Sequence, residues 1–309
     1  MKILFFVFVI VVVLCLLGLL TSYICFRLAF YVKRSKKDED EFAIPEGEIY
    51  EPHRDVMVSW MKEVRKTPSL EFSIVSSDGL KLFGRYYEYE KGAPIELMFH
   101  GYRGSAERDL CGGVQRCFAL GRNALIVDQR TSGKSEGNVI TFGIKESKDC
   151  LSWIDFMISH FGKDVKIILT GISMGASTVM IASGNKLPEN VIGVLADCGF
   201  SDAKKIIKKV IRQMKLPADV LYPFVKVGAY LFGHFNLEET SAVKALEKCT
   251  VPVIFYHGED DDFVPCSMSE ECYNACKSRK ELIKVKGAGH GLSYLVDKEG
   301  YISSLKNFF

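Results

Sequence analysis

Leu169-Thr170-Gly171-Ile172-Ser173-Met174-Gly175 is the stretch whose reading decides the fold. An apolar run at 165–169 leads into it and a helical pattern at 174–183 follows, so the order is strand, sharp turn, helix. Gly-x-Ser-x-Gly in that setting keeps the serine on a strained turn, with its Oγ standing above a sheet. A Cβ two residues to either side would collide with the neighbouring strand or helix, and glycine removes it. A helix that begins just after Ser173 points its first N–H groups at the hydroxyl and favours negative charge there.

Working outward, apolar runs at 95–100, 124–127, 165–169, 191–195, 251–256 and 282–285 predict strands. Helix-length stretches at 106–119, 143–161, 174–183, 269–278 and 292–309 lie between or after them. This alternation predicts an α/β fold with a mostly parallel sheet and helices on both faces. Runs at 71–75 and 80–86 flank Ser77-Asp78-Gly79, a hairpin signal. The segment 201–248 breaks the rhythm with a helix at 203–215 and an apolar stretch at 221–232. Inserted between two strands, it reads as a small helical lid over the strand ends, where such sheets bind ligands.

Charge and cysteines exclude other classes. Lys and Arg nearly balance Asp and Glu, leaving a formal charge of +2, so no nucleic-acid partner is expected. The ten cysteines form no C-x-x-C pair, which argues against a zinc site; free thiols in a reducing compartment are expected. Gly133-Lys134-Ser135 lacks the earlier glycine of a phosphate-binding loop, having Asp128 in its place. No metal and no organic cofactor is expected.

Residues 3–26 carry no charge and are long enough to cross a bilayer as a helix. No Ala-x-Ala cleavage site follows, so an uncleaved single-pass anchor over 1–32 is the expectation. Arg27, Lys33, Arg34, Lys36 and Lys37 outweigh Lys2 and the α-amino group, which puts the rest of the chain on the cytoplasmic side. Residues 33–66 read as a juxtamembrane linker and an N-terminal helix, with 38–41 and 45–47 as solvated spacer.

Several motifs in order carry a resemblance to a known superfamily. They are His100-Gly101, Asp128-x-Arg130-x-x-Gly133-x-Ser135, the Ser173 turn, His257-Gly258-x-x-Asp261-x-x-Val264-Pro265 and Gly289-His290-Gly291. Over 67–309 the chain resembles α/β-hydrolase serine hydrolases, of the small bacterial membrane-anchored type and similar to ABHD-like enzymes. It departs from the pattern at Thr131, where glycine is common.

The resemblance implies catalytic roles. Ser173 is the nucleophile, and a serine hydroxyl needs a base to take its proton. The superfamily order Ser, acid, His selects His290 among the histidines after Ser173; His234 lies in the lid and His257 precedes the acids. The resemblance assigns the acid to Asp261, with Asp260, Asp262 and Asp197 left open. An oxyanion would be met by the backbone N–H of Met174 and, by resemblance, that of Tyr102. His100 is expected to brace the Tyr102 loop.

The expected reaction is hydrolysis of an ester or thioester with an apolar acyl group, through an acyl-serine intermediate. Its substrate would be a small or lipid-like acyl compound, since Leu221, Phe224, Val225, Tyr230, Leu231 and Phe232 make the lid apolar. Peptidase or amidase activity is the first alternative. A tethered binding or scaffold protein without turnover is the second. The helix at 203–215 has Ile207, Val210, Ile211 and Met214 on one face and lysines on the other; its apolar stripe is expected to pack on the body rather than on lipid.

Overall fold

The computed structural model describes residues 1–33 and 42–309. The basic residues 34, 36 and 37 and the acidic run 38–41 therefore lie outside the described residues.

The strands are β1 (Leu70–Val75), β2 (Lys81–Tyr87), β3 (Ile95–Phe99), β4 (Asn123–Asp128), β5 (Ile167–Ile172), β6 (Val191–Asp197), β7 (Val253–Gly258) and β8 (Lys280–Val285). The helices are α1 (Lys2–Ala29), α2 (Arg54–Lys66), α3 (Ala106–Ala119), α4 (Ile144–Phe161), α5 (Met174–Ala182), α6 (Ala203–Gln213), α7 (Ala218–Leu231), α8 (Ala242–Leu246), α9 (Cys266–Ala275), α10 (Ser293–Val296) and α11 (Lys298–Phe308). A 3-10 helix covers Glu48–His53.

Among the described residues, the eight strands form one sheet in the order β1-β2-β4-β3-β5-β6-β7-β8. The β1/β2 and β2/β4 pairs are antiparallel, and every later pair is parallel. This is the α/β-hydrolase architecture. Alternation along the strands divides the core in two. Leu97, Phe99, Leu125, Val127, Val194, Val253 and Phe255 face α4, α5, α8 and α9. Met98, Ala124, Ile126, Leu195, Ile254 and Tyr256 face α2, α3 and α11. The stretch at 292–309, expected as one helix, is split at Asp297, which caps α11 by accepting from the Gly300 N–H.

A third apolar cluster lies above the strand ends, built from α6, α7 and the end of α1. Ile206, Ile207 and Ile211 of α6 are buried in it, so the stripe does pack on the body; Met214 is exposed. The last turns of α1 enter the same cluster. Phe26 and Phe30 are buried, and the Phe30 ring meets Phe142 and Phe235 edge-on at 5.7 and 5.2 Å. The apolar N-terminal helix is long enough to cross a membrane, yet it is also part of the fold.

Candidate active site

Ser173 sits between β5 and α5 with φ +56°, a left-handed conformation that a side chain rarely takes. Packing enforces it. A Cβ on Gly171 would lie 2.1 Å from the Gly175 carbonyl oxygen, and one on Gly175 would lie 2.0 Å from that of Phe99. The turn is therefore wedged against the end of β3, and the Ser173 N–H donates to Asp197 O at 2.8 Å.

His290 Nε2 is 2.9 Å from Ser173 Oγ, and its Nδ1 is 2.7 Å from Asp261 Oδ2. The alcohol, imidazole and carboxylate thus form one hydrogen-bonded chain. A carboxylate facing Nδ1 fixes the proton there and leaves Nε2 free to accept from the serine. The loop carrying His290 is held by Tyr50 of the 3-10 helix, whose hydroxyl donates to His290 O at 3.0 Å. The Phe263 ring stands edge-on to the imidazole at 5.1 Å.

Asp261 is buried, whereas Asp260 and Asp262 are exposed. Its Oδ1 accepts from the Phe263 and Val264 N–H groups at 2.9 and 2.8 Å. Burial alone would raise its pKa, but hydrogen bonds from His257 and His290 hold it well below the usual carboxylate range. His257 is fully buried. Its Nε2 faces Val264 O at 2.8 Å and Asp261 Oδ2 at 3.2 Å, so the proton sits there and Nδ1 accepts from Ser269 at 2.6 Å. Asp197 is directed elsewhere, accepting from Ser293 and Tyr301, and burial pushes its pKa up.

Met174 is the first residue of α5, so its N–H has no acceptor within the helix. Tyr102 follows Gly101, whose Cβ position is 3.5 Å from Ser173 Cβ. The turn at 101–104 closes with Gly104 N–H to Gly101 O at 3.1 Å. Asp109 pins the Gly101 N–H at 3.0 Å. His100 braces the loop from below, with Nδ1 donating to Gly101 O at 2.8 Å while Nε2 accepts from the Gln129 N–H at 3.1 Å.

The Asp128 loop is closed on itself. Asp128 Oδ2 accepts from the Lys134 N–H at 3.1 Å, in the space that a side chain on Gly133 would need. Arg130 is buried between Asp149 and Asp78. Next to that anchorage Thr131 takes φ +78°, a conformation that favours glycine.

Asp109, Gln129, Tyr50 and the Asp261-binding role of His257 escape a sequence reading, because each acts through a contact remote in the chain. Only the His257-Gly258-x-x-Asp261 spacing carried a signal. Cys198, Asp261 and His290 also bring donor atoms within 4.8 Å of one another, the kind of set that can hold a metal. Both nitrogens of His290 are committed, and burial keeps the Cys198 thiol protonated, so the set fits the hydrogen-bonded chain better than a cation.

Residues 141–309 match the sequence pattern of the prolyl oligopeptidase family. The Bacillus subtilis protein YqkD is 28% identical over 190 residues, 61% of this chain and 62% of YqkD. The chain thus spans about three-fifths of that relative's length. Protein bem46 of Schizosaccharomyces pombe is 26% identical over 63% of this chain and 60% of its own. Among solved structures, an esterase of Pyrococcus furiosus superposes with a TM-score of 0.66 at 22% identity, covering 86% of this chain and 95% of its own. A bacterial membrane phospholipase A superposes with a TM-score of 0.55 at 13% identity, covering 82% and 91%.

Proposed function

We propose, from the premise that the chain belongs to the prolyl oligopeptidase family, that it hydrolyses an ester or thioester with an apolar acyl group through an acyl-Ser173 intermediate. The observation that carries this reading is the unbroken chain from Ser173 Oγ through His290 to Asp261.

In this mechanism Ser173 Oγ attacks the acyl carbon while His290 Nε2 takes its proton. Asp261, kept ionised by its donors, stabilises the imidazolium without accepting the proton. The N–H groups of Met174 and Tyr102 receive the oxyanion as the carbonyl bond opens. His290 then protonates the departing alcohol or thiol. A water attacks the acyl-serine with the same histidine as base, releasing the acid and restoring Ser173.

An apolar acyl group is supported by the cluster that reaches the serine at Met174, with Phe142, Phe200 and Val264 beside it. The insertion contributes less than its composition suggests. Val225 is buried in the cluster, but Tyr230 and Leu231 face outward. The α1 helix would anchor the enzyme in a membrane, with the hydrolase portion on the cytoplasmic side. Amide hydrolysis is a second reading, favoured by the family's peptidases.

A fluorophosphonate probe tests the reading. It is expected to label the full chain and to fail on Ser173→Ala, while His290→Ala lowers turnover of p-nitrophenyl esters by roughly 10⁴-fold. Absent labelling of the unaltered chain would favour a binding protein, and faster cleavage of peptides than of esters would favour the second reading.

A further inference from the structure

Outside α1, exposed apolar residues occur at several places, Leu70, Val75 and Tyr89 among them, and one group lies at the α6–α7 turn. Met214, Leu216 and Val220 are 58, 43 and 62% exposed and sit together at the turn between α6 and α7. Along α7, Val227, Tyr230 and Leu231 continue an outward apolar face at helical spacing. Lys215 and Arg212 are exposed at the same turn, and Lys208 and Arg212 pair with Asp219 at 2.6 and 3.4 Å. An apolar tip with a basic collar is the arrangement of an interfacial membrane element.

The direction of that tip follows from how α7 meets α1. Gly18 faces the Phe224 ring, Gly228 lies against Ser22 and Phe26, and Phe232 meets the rings of Tyr23 and Phe26. The contacts advance together along both helices, so the two run parallel. The start of α7 therefore points the same way as the N-terminus of α1. The pairing is close, because a Cβ on Gly228 would come 2.4 Å from Ser22 O.

Length then brings the tip to the membrane. Nearly all side chains over residues 2–17 are exposed, and that stretch makes about 24 Å of helix. A hydrocarbon core is about 30 Å thick. A full crossing by α1 must draw its docked portion, with α7 alongside, toward the leaflet.

We propose that the α6–α7 turn inserts into the lipid leaflet beside α1, with Met214, Leu216 and Val220 among the acyl chains and Arg212 and Lys215 at the headgroups. The proposal rests on reading α1 as a membrane anchor. The other face of α7, through Tyr222, Val225 and Ala229, belongs to the cluster that ends at Met174. The same packed apolar cluster thus extends from α7 to Met174 beside the nucleophile, and the substrate that the insertion would favour is one whose acyl chain is dissolved in the bilayer.

Depth-dependent fluorescence quenching tests this. The native Trp60 and Trp153 are 9 and 1% exposed, so added tryptophans report separately. Full-length Leu216→Trp, Leu14→Trp and Lys163→Trp are placed in vesicles of phosphatidylcholine and phosphatidylglycerol carrying doxyl groups on the acyl chains. Fluorophosphonate labelling checks that each variant keeps its site. Leu216→Trp and Leu14→Trp should each lose roughly half of their added emission, and Lys163→Trp little. Quenching at Leu14→Trp alone overturns the proposal and leaves the anchor standing. Quenching at neither removes the anchor reading, and the proposal with it.

Discussion

Two regions meet at Ser173 and are built on different physics. Beneath it, polar contacts fix the sheet. Glu96 of β3 is fully buried and accepts from Arg116 at 2.5 Å, Arg122 at 2.9 Å and Thr170 of β5 at 3.0 Å. Burial opposes the charge on Glu96, but the two guanidinium groups hold its pKa below the usual value. Above Ser173, the cluster of α1, α6 and α7 is held mainly by apolar and ring contacts, with the end of α1 tied down as well by the Tyr102 hydroxyl to Ala29 O and the Ile140 N–H to Phe30 O, both at 2.8 Å. Hydrogen bonds specify position, whereas apolar contacts specify burial and tolerate sliding. The reacting atoms hang from the first kind of structure, and the cover over them belongs to the second.

Removing the polar support should have the largest effect. Glu96→Ala strands two buried guanidinium groups and is expected to destabilise the protein by about 3–5 kcal/mol. Urea denaturation followed by circular dichroism checks this, and a loss below about 1 kcal/mol would erase the contrast between the two regions.

Phe30→Ala should act on the cover alone. Global stability is expected to change by less than about 1 kcal/mol, while amide protection over residues 26–32 falls about tenfold, as local opening predicts. Hydrogen exchange by mass spectrometry separates the two effects. An equal loss of protection along β5 would mean that the cover and the sheet unfold as one unit.

The smallest effect concerns pH. Asp261 has a folded pKa below its unfolded value, so its ionisation stabilises the fold above the ordinary carboxylate range. That contribution is lost as pH falls toward the depressed value. Asp261→Asn should therefore be less stable than the unaltered protein by about 1 kcal/mol at pH 7, with the gap narrowing progressively as pH falls below about 4. Thermal melts across that range check it; a gap that widens in acid would reverse the sign.

Residues close in sequence were the most legible. The Ser173 turn, its glycines and the flanking β5 and α5 follow from local sterics, which a heptapeptide contains. The strands were legible as apolar runs. Their order was not, because β4 and β3 exchange places in the sheet relative to the chain. The docking of α1 also escaped, since its exposed residues and its residues facing α7 are equally apolar. Small residues four apart, Gly18 and Ser22, were the available sign of close helix packing.

The sequence by itself determined the class of fold, the strained serine turn and the supply of histidine and carboxylate candidates, because these depend on periodicity and short-range sterics. Only the tertiary structure decided which carboxylate meets His290, how His257 and Tyr50 brace it, and where the cover lies. Those outcomes depend on distances between residues up to 240 positions apart, which the folded sheet creates and local preference does not encode.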